Sequence, residues 1–236
     1  MSAFWNYQSA AERAEAARQT SSKLKAQGHK LKPVRVKTSG RKISETFWGQ
    51  SWCRHLENYS DYESRLPRGR SYLRQGAVVD LQISKGRIDA QVSGSSLYRI
   101  AIDIVPLAEP RWKSICKACT GQIDTIMDLL SGNISGPVMS VVTDPSTGLF
   151  PSHREIRHHC SCPDSASLCK HQAAVLYGVA VRLDEEPSLL FTLRGVDHRD
   201  MVKALKTDAI AGKIDKEESL GEEKLASIFG VDVDLS

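Results

Sequence analysis

What the chain has little of narrows its reading first. In 236 residues no apolar run approaches the roughly 18 needed to cross a bilayer. The opening stretch MSAFWNYQSAAERAEAARQ contains no apolar h-region, so no secretory signal is expected and a cytoplasmic protein is. No Gly-rich loop ends in Gly-Lys-Ser/Thr, so the chain has no phosphate-binding loop of the ATPase kind. No segment repeats. Six cysteines are too few, and too unevenly spaced, for a disulfide-built secreted scaffold. Carboxylates are missing altogether from Ala16 to Ser44, a stretch that holds Arg18, Lys23, Lys25, Lys30, Lys32, Arg35, Lys37, Arg41 and Lys42. The 41% of hydrophobic residues is enough for a buried core and argues against wholesale disorder.

The net charge of +4 conceals an asymmetry. Residues 1–99 carry 18 Lys/Arg and 8 Asp/Glu, residues 100–199 carry 9 and 11, and residues 200–236 carry 5 and 9. A basic front half suits an anionic partner, of which nucleic acid is the commonest; a solvated basic tail is the plainer alternative.

Periodicity divides the chain. Residues 8–27 favour helix by propensity but show no clear apolar stripe, and Gly28, Pro33 and Gly40 punctuate the stretch after them. Residues 1–43 therefore read as a basic flexible arm. Trp48, Trp52 and Leu56 recur every four residues after a cap at Ser44 or Thr46, which predicts a helix over 44–59 with the tryptophans in the core. Short β-branched runs between 68 and 105, broken at Gly76, Lys85-Gly86 and Ser93-Gly94-Ser95, predict an antiparallel meander beginning with RGRSYLRQ. Helical spacing returns over 110–131, and the Gly/Pro/Ser-rich stretch 133–151 suggests a module boundary. The expected fold class is α+β: a meander with flanking helices over 44–150, a small metal-bound strand-turn-helix module over 151–206, and an acidic tail over 207–236.

The cysteines carry the chemistry. Cys160-Ser-Cys162 is followed after six residues by Cys169-Lys-His171. Three thiolates and one imidazole make a closed tetrahedral set for one structural Zn²⁺. Residues 160 and 162 point the same way on a strand. Cys169 and His171 lie about 200° apart on a helix, so they belong to the turn that enters one. Pro163 stops the strand, and QAAVLYGVAVRL after His171 is strongly helical. Cys116 and Cys119 form C-x-x-C without a second pair at ribbon distance, and Cys53 diverges from His55 on a helix; all read as structural.

The C-x-C…C-x-H pattern resembles the SWIM zinc finger, and CSCPDSASLCKHQAAVLYGVAVRLDEEPSLLFTLRG is similar to the form found in bacterial SWIM proteins. FWGQSWCRHLE and RLPRGRSYLRQGAVVDLQIS resemble the N-terminal region of the same family, so the likeness covers most of 44–200. It implies Cys160, Cys162, Cys169 and His171 as zinc ligands, and an accessory role in DNA binding or protein contact beside a helicase-like, remodelling-type ATPase. One position departs: Ser165 stands where relatives often carry an aromatic.

If RGRSYLR is extended, Arg68, Arg70, Tyr72 and Arg74 share one face, with guanidinium forks for phosphate and a ring for stacking. Lys37, Arg41 and Lys42 add sequence-independent attraction. A site with all four positions filled lacks the open position of catalytic zinc, and Ile115 rather than proline precedes Cys116, against the deaminase pattern. The expectation is a non-enzymatic zinc-binding accessory protein that binds nucleic acid, DNA first, with no small-molecule substrate. The alternative is a protein–protein adaptor with the same structural zinc.

Overall fold

A computed structural model describes residues 9–59, 64–123, 125–164 and 166–202. The acidic tail over 207–236 lies outside them.

Helix α1 (Ala10–Ala26) starts at a capping box in which the Ser9 side chain accepts from the Glu12 amide and the Glu12 carboxylate accepts from the Ser9 amide. Its buried residues, Ala17, Ser21 and Leu24, follow the 4-3 spacing of one helical face, and Ala17 and Leu24 cluster with Val79. Arg13 donates to Gln75 at 2.7 Å. The chain then runs extended beside Val78–Leu81: the Val34 amide donates to the Val78 carbonyl at 3.1 Å, and the Leu81 amide to that of Lys32 at 3.0 Å. Val34 and Ile43 enter the core. The described part of the expected flexible arm is thus folded onto the domain. Nine cations suggested a solvated segment, but a few small or isolated apolar residues suffice to anchor it.

Helix α2 (Phe47–Glu57) is capped by Thr46 and buries Trp48, Trp52 and Leu56, as its period requires. Each indole N–H finds a carbonyl, Trp48 that of Leu129 at 2.9 Å and Trp52 that of Leu176 at 2.8 Å, so neither ring buries an unmet donor.

Residues 66–74 overturn one expectation. They form helix α3 (Leu66–Arg74), not the first strand of the meander. Pro67 sits in its first turn, where a missing amide costs nothing. Leu66, Gly69 and Leu73 bury one face at 3-4 spacing. That stripe was hidden because one of its three members is a glycine. A Cβ at Gly69 would lie 2.4 Å from the Ala173 Cβ, so the glycine permits a very close helix crossing.

The meander proper is β1 (Val78–Ser84), β2 (Arg87–Ser93) and β3 (Leu97–Ile104), joined by β4 (Ile156–Cys160) in one antiparallel sheet of order β1-β2-β3-β4. The β3–β4 register runs from Ile104 opposite Ile156 to Ile100 opposite Cys160. Between β3 and β4 come α4 (Glu109–Ala118), α5 (Ile126–Ser131) and α6 (Gly136–Thr143). Val138, Val142, Leu149 and Phe150 are all fully buried, so no boundary falls at 150: one core runs from Val34 to Met201. Glycine and proline in 133–151 mark caps and turns rather than a linker.

At the centre is α7 (Lys170–Glu185), with 12 of its 16 residues buried against α2, α3 and the sheet, which is why its sequence is apolar on every face. Helix α8 (Ser188–Arg194) follows. Arg194 is fully buried; its guanidinium donates to the Val105 carbonyl at 2.6 Å and to Glu155 at 2.9 Å. No described helix is long and apolar enough to cross a membrane.

Candidate metal centre

Two elements meet at the cluster. β4 delivers Cys160 at its last position, and the chain bends at once to present Cys162. Cys169 is the N-cap of α7 and His171 lies in that helix's first turn, the arrangement their spacing demands. One ligand atom from each of Cys160, Cys162, Cys169 and His171 lies within 4.8 Å of every other. The His171 Nδ1 is 3.9 Å from both the Cys160 and Cys169 sulfurs. Tetrahedral zinc with bonds of about 2.3 Å to sulfur and 2.0–2.1 Å to nitrogen sets such pairs about 3.6 Å apart. Three soft sulfurs and one imidazole gathered this closely, with both of these nitrogen–sulfur pairs a few tenths of an ångström from that spacing, fit Zn²⁺.

The surroundings prepare one of the sulfurs, that of Cys169, for a cation. Cys169 takes the role normally filled by Ser or Asp: the Gln172 amide donates to its Sγ at 3.4 Å while Gln172 Oε1 accepts from the Cys169 amide at 2.7 Å. The positive end of α7 therefore faces a thiolate. The Cys169 thiol is drawn down, chiefly by the hydrogen bond from Cys160, against the opposing effect of burial. Cys160, which gives that bond, is pushed up.

His171 is 3% exposed and sandwiched. The Tyr98 ring stacks on it at 4.3 Å between centroids, and Tyr72 meets it edge-on at 5.4 Å. A Cβ at Gly94 would come within 3.2 Å of His171 Nε2 and 2.9 Å of the Tyr98 ring, so the β2–β3 turn can close over the imidazole only as glycine. Tyr98, Gln172 and Gly94 thus orient the ligands, though spacing rules never singled them out. The Ser-Gly-Ser turn was the only available signal. His158, two residues before Cys160, donates from Nε2 to the Ser167 carbonyl at 2.6 Å and so ties β4 to the loop before Cys169; His159 is exposed. Ser165 lies outside the described residues.

The other thiols lie apart from the cluster. Burial raises Cys53 and Cys116 to about 12 and Cys119 to about 11, which keeps them protonated and unreactive. His55 donates from Nε2 to the Pro151 carbonyl at 2.8 Å and makes no pair with Cys53.

The residues singled out for nucleic acid are not one strip. On α3, Arg70 and Arg74 lie one turn apart on one side, with Arg68 and Tyr72 on the other. Arg68 is exposed. Arg70 pairs with Glu57 and donates to the Tyr177 hydroxyl at 2.8 Å. Tyr72 packs on His171, with the Lys170 ammonium 5.3 Å and the Arg13 guanidinium 5.7 Å from its ring centre, so its faces are occupied. Arg74 donates to the carbonyls of Thr38 and Lys42. Lys37, Arg41 and Lys42 are exposed.

Comparison with known proteins agrees with the donor set. The SWIM zinc finger family model matches residues 141–177, which take in β4, all four ligands and the first half of α7. No solved structure matches the chain. The uncharacterized protein Rv2102 of Mycobacterium tuberculosis is 32% identical over 195 residues, which span 80% of this chain and 70% of the relative. The chain accordingly belongs to the same family as that mycobacterial protein and carries a SWIM zinc finger over residues 141–177.

Proposed function

We propose that this is a non-enzymatic zinc-binding accessory protein that holds nucleic acid, DNA first, on the cationic surface of its N-terminal region and works beside a helicase-like ATPase. One observation carries the reading. All nine cations between Ala16 and Ser44 are exposed, and the backbone that bears them is packed on the core. Among the described residues only Arg18 and Lys37 of the nine pair with a carboxylate, Glu15 and Glu185. An array of cations on an ordered backbone, most of them without a carboxylate partner among the described residues, supports sequence-independent phosphate binding, because the backbone need not be ordered again on binding. The four-ligand cluster supports a structural rather than catalytic metal, since a tetrahedron filled by protein leaves no position for substrate. The ATPase partner rests on the SWIM resemblance alone.

Deleting residues 1–43 is a poor test, because it also strips Val34 and Ile43 from the core. The better test is fluorescence anisotropy of the zinc-loaded chain with a labelled 20-base-pair duplex across a salt series. About five phosphate contacts give a slope of about −4.5 in log affinity against log salt. Absence of binding at low salt, together with capture of an acidic polypeptide, would replace this reading with the adaptor. Affinity purification from the native host with zinc retained checks the ATPase.

A further inference from the structure

A groove of about 490 Å³ opens between the turn at 38–42, α2, α3 and α7. Its walls carry Arg41 and Lys42 from the turn, Arg54 from α2 and Arg70 from α3. Three groups in it are already matched: the Glu57 carboxylate accepts from both Arg70 and the Tyr177 hydroxyl, the latter at 2.7 Å. Arg41, Lys42 and Arg54 have no carboxylate partner among the described residues, and Arg54 donates only to the Ser51 hydroxyl, at 3.0 Å. The Arg70 Nε is buried with no acceptor. The turn is held in place: Arg74 takes the carbonyls of Thr38 and Lys42 with its two terminal nitrogens, and the Thr38 hydroxyl also donates to the Lys42 carbonyl. Lys42 is thus fixed by its backbone while its ammonium has no partner among the described residues.

We propose that this groove is a phosphate-binding subsite that grips one phosphate of a nucleic-acid strand. The proposal rests on the nucleic-acid reading above and locates it. Three cations without a carboxylate partner among the described residues, together with Arg70, line a groove whose one carboxylate, Glu57, is already shared, an excess that suits a phosphate better than a neutral ligand. Guanidinium forks match two phosphate oxygens at once. Ile43 and Cys53 in the same wall offer an apolar flank to the sugar.

The test compares the full zinc-loaded chain with R41Q/K42Q/R54Q and with K85Q/R99Q/K117Q, which removes equal charge outside the groove. Probes are a labelled single strand, the matching duplex, free adenosine monophosphate and poly-glutamate. The groove variant is expected to lose at least about tenfold in affinity at about 0.1 M salt and about 3 from the salt slope, one per lost contact, while the control keeps its slope. Equal losses in the two variants would overturn the subsite and leave the nucleic-acid reading standing. Binding of poly-glutamate but neither nucleic acid would overturn both. Tight saturable binding of the free mononucleotide without the strands would assign the groove to small phosphates and overturn the strand. If the triple variant melts early, R41Q/K42Q, whose head groups have no partner among the described residues, is expected to lose about 2 from the slope; an unchanged slope would overturn the proposal.

Discussion

Cys169 has two separable roles, and its substitution tells them apart. The sulfur is one of four candidate ligands and also the N-cap of α7, where it accepts from the Gln172 amide. Serine keeps a good cap but not a thiolate, whereas alanine keeps neither. In chelator, Cys169→Ser should therefore match the wild type or slightly exceed it, and Cys169→Ala should be about 1 kcal/mol less stable than the serine variant. In zinc buffered a thousandfold above Kd, only the wild type gains, by about 4 kcal/mol. At about 2–4 °C per kcal/mol for a chain of this size, the wild-type melting temperature should rise about 8–16 °C from chelator to zinc, and neither variant should follow. Because α7 is buried against α2, α3 and the sheet, the shift should appear in one transition of the whole chain rather than in a separate finger. Differential scanning calorimetry reads all of this. A wild-type protein that melts at the same temperature in zinc and in chelator would refute the metal centre, and two resolved transitions would refute the single core.

Gly69→Ala should lower the melting temperature by several degrees: its Cβ would sit 2.4 Å from that of Ala173 and under 3 Å from the α7 backbone, and such overpacking costs about 1–3 kcal/mol. Thermal unfolding of the zinc-loaded protein checks it, and an unchanged midpoint would mean the helices do not cross there. Glu155→Gln should cost about 1.5–3 kcal/mol at pH 7, by weakening the bond to the buried Arg194. Burial raises the Glu155 pKa, but the Arg194 hydrogen bond and the Ser152 amide outweigh it and leave the carboxyl below its usual value. A depressed carboxylate stabilises above its unfolded pKa of about 4.3 and loses that contribution as pH falls through the folded value. Urea unfolding between pH 7 and pH 3 should therefore show a shallower acid loss in the variant; parallel curves would count against the pairing. Tyr98→Ala should weaken zinc retention against a competing chelator, because His171 loses the ring that orients it, with an effect of about 10–100-fold. Equal retention would assign Tyr98 to packing alone.

Much of the centre was legible in one dimension because its constraints are local. Two-residue spacings, a proline and a following apolar run place four ligands on a strand end and a helix entrance, and these need no long-range information. The tryptophan period of α2 and the two-residue turn at Lys85-Gly86 are local in the same sense. The sequence also sets the acid-free cationic stretch from Ala16 to Ser44. Tertiary structure decided what that stretch does. α1 and the extended segment after it are anchored by Ala17, Leu24, Val34 and Ile43, small or isolated apolar residues whose partners lie forty to sixty positions away or more. It also decided that Arg68–Arg74 is helical, because the close approach of Gly69 to Ala173 rewards a helix where β-like neighbours suggested a strand. Finally, Cys160 lies opposite Ile100 on β3, so the metal module shares a sheet and a core with the meander. Strand pairing between distant segments is a property of the folded chain, and spacing within either segment does not encode it.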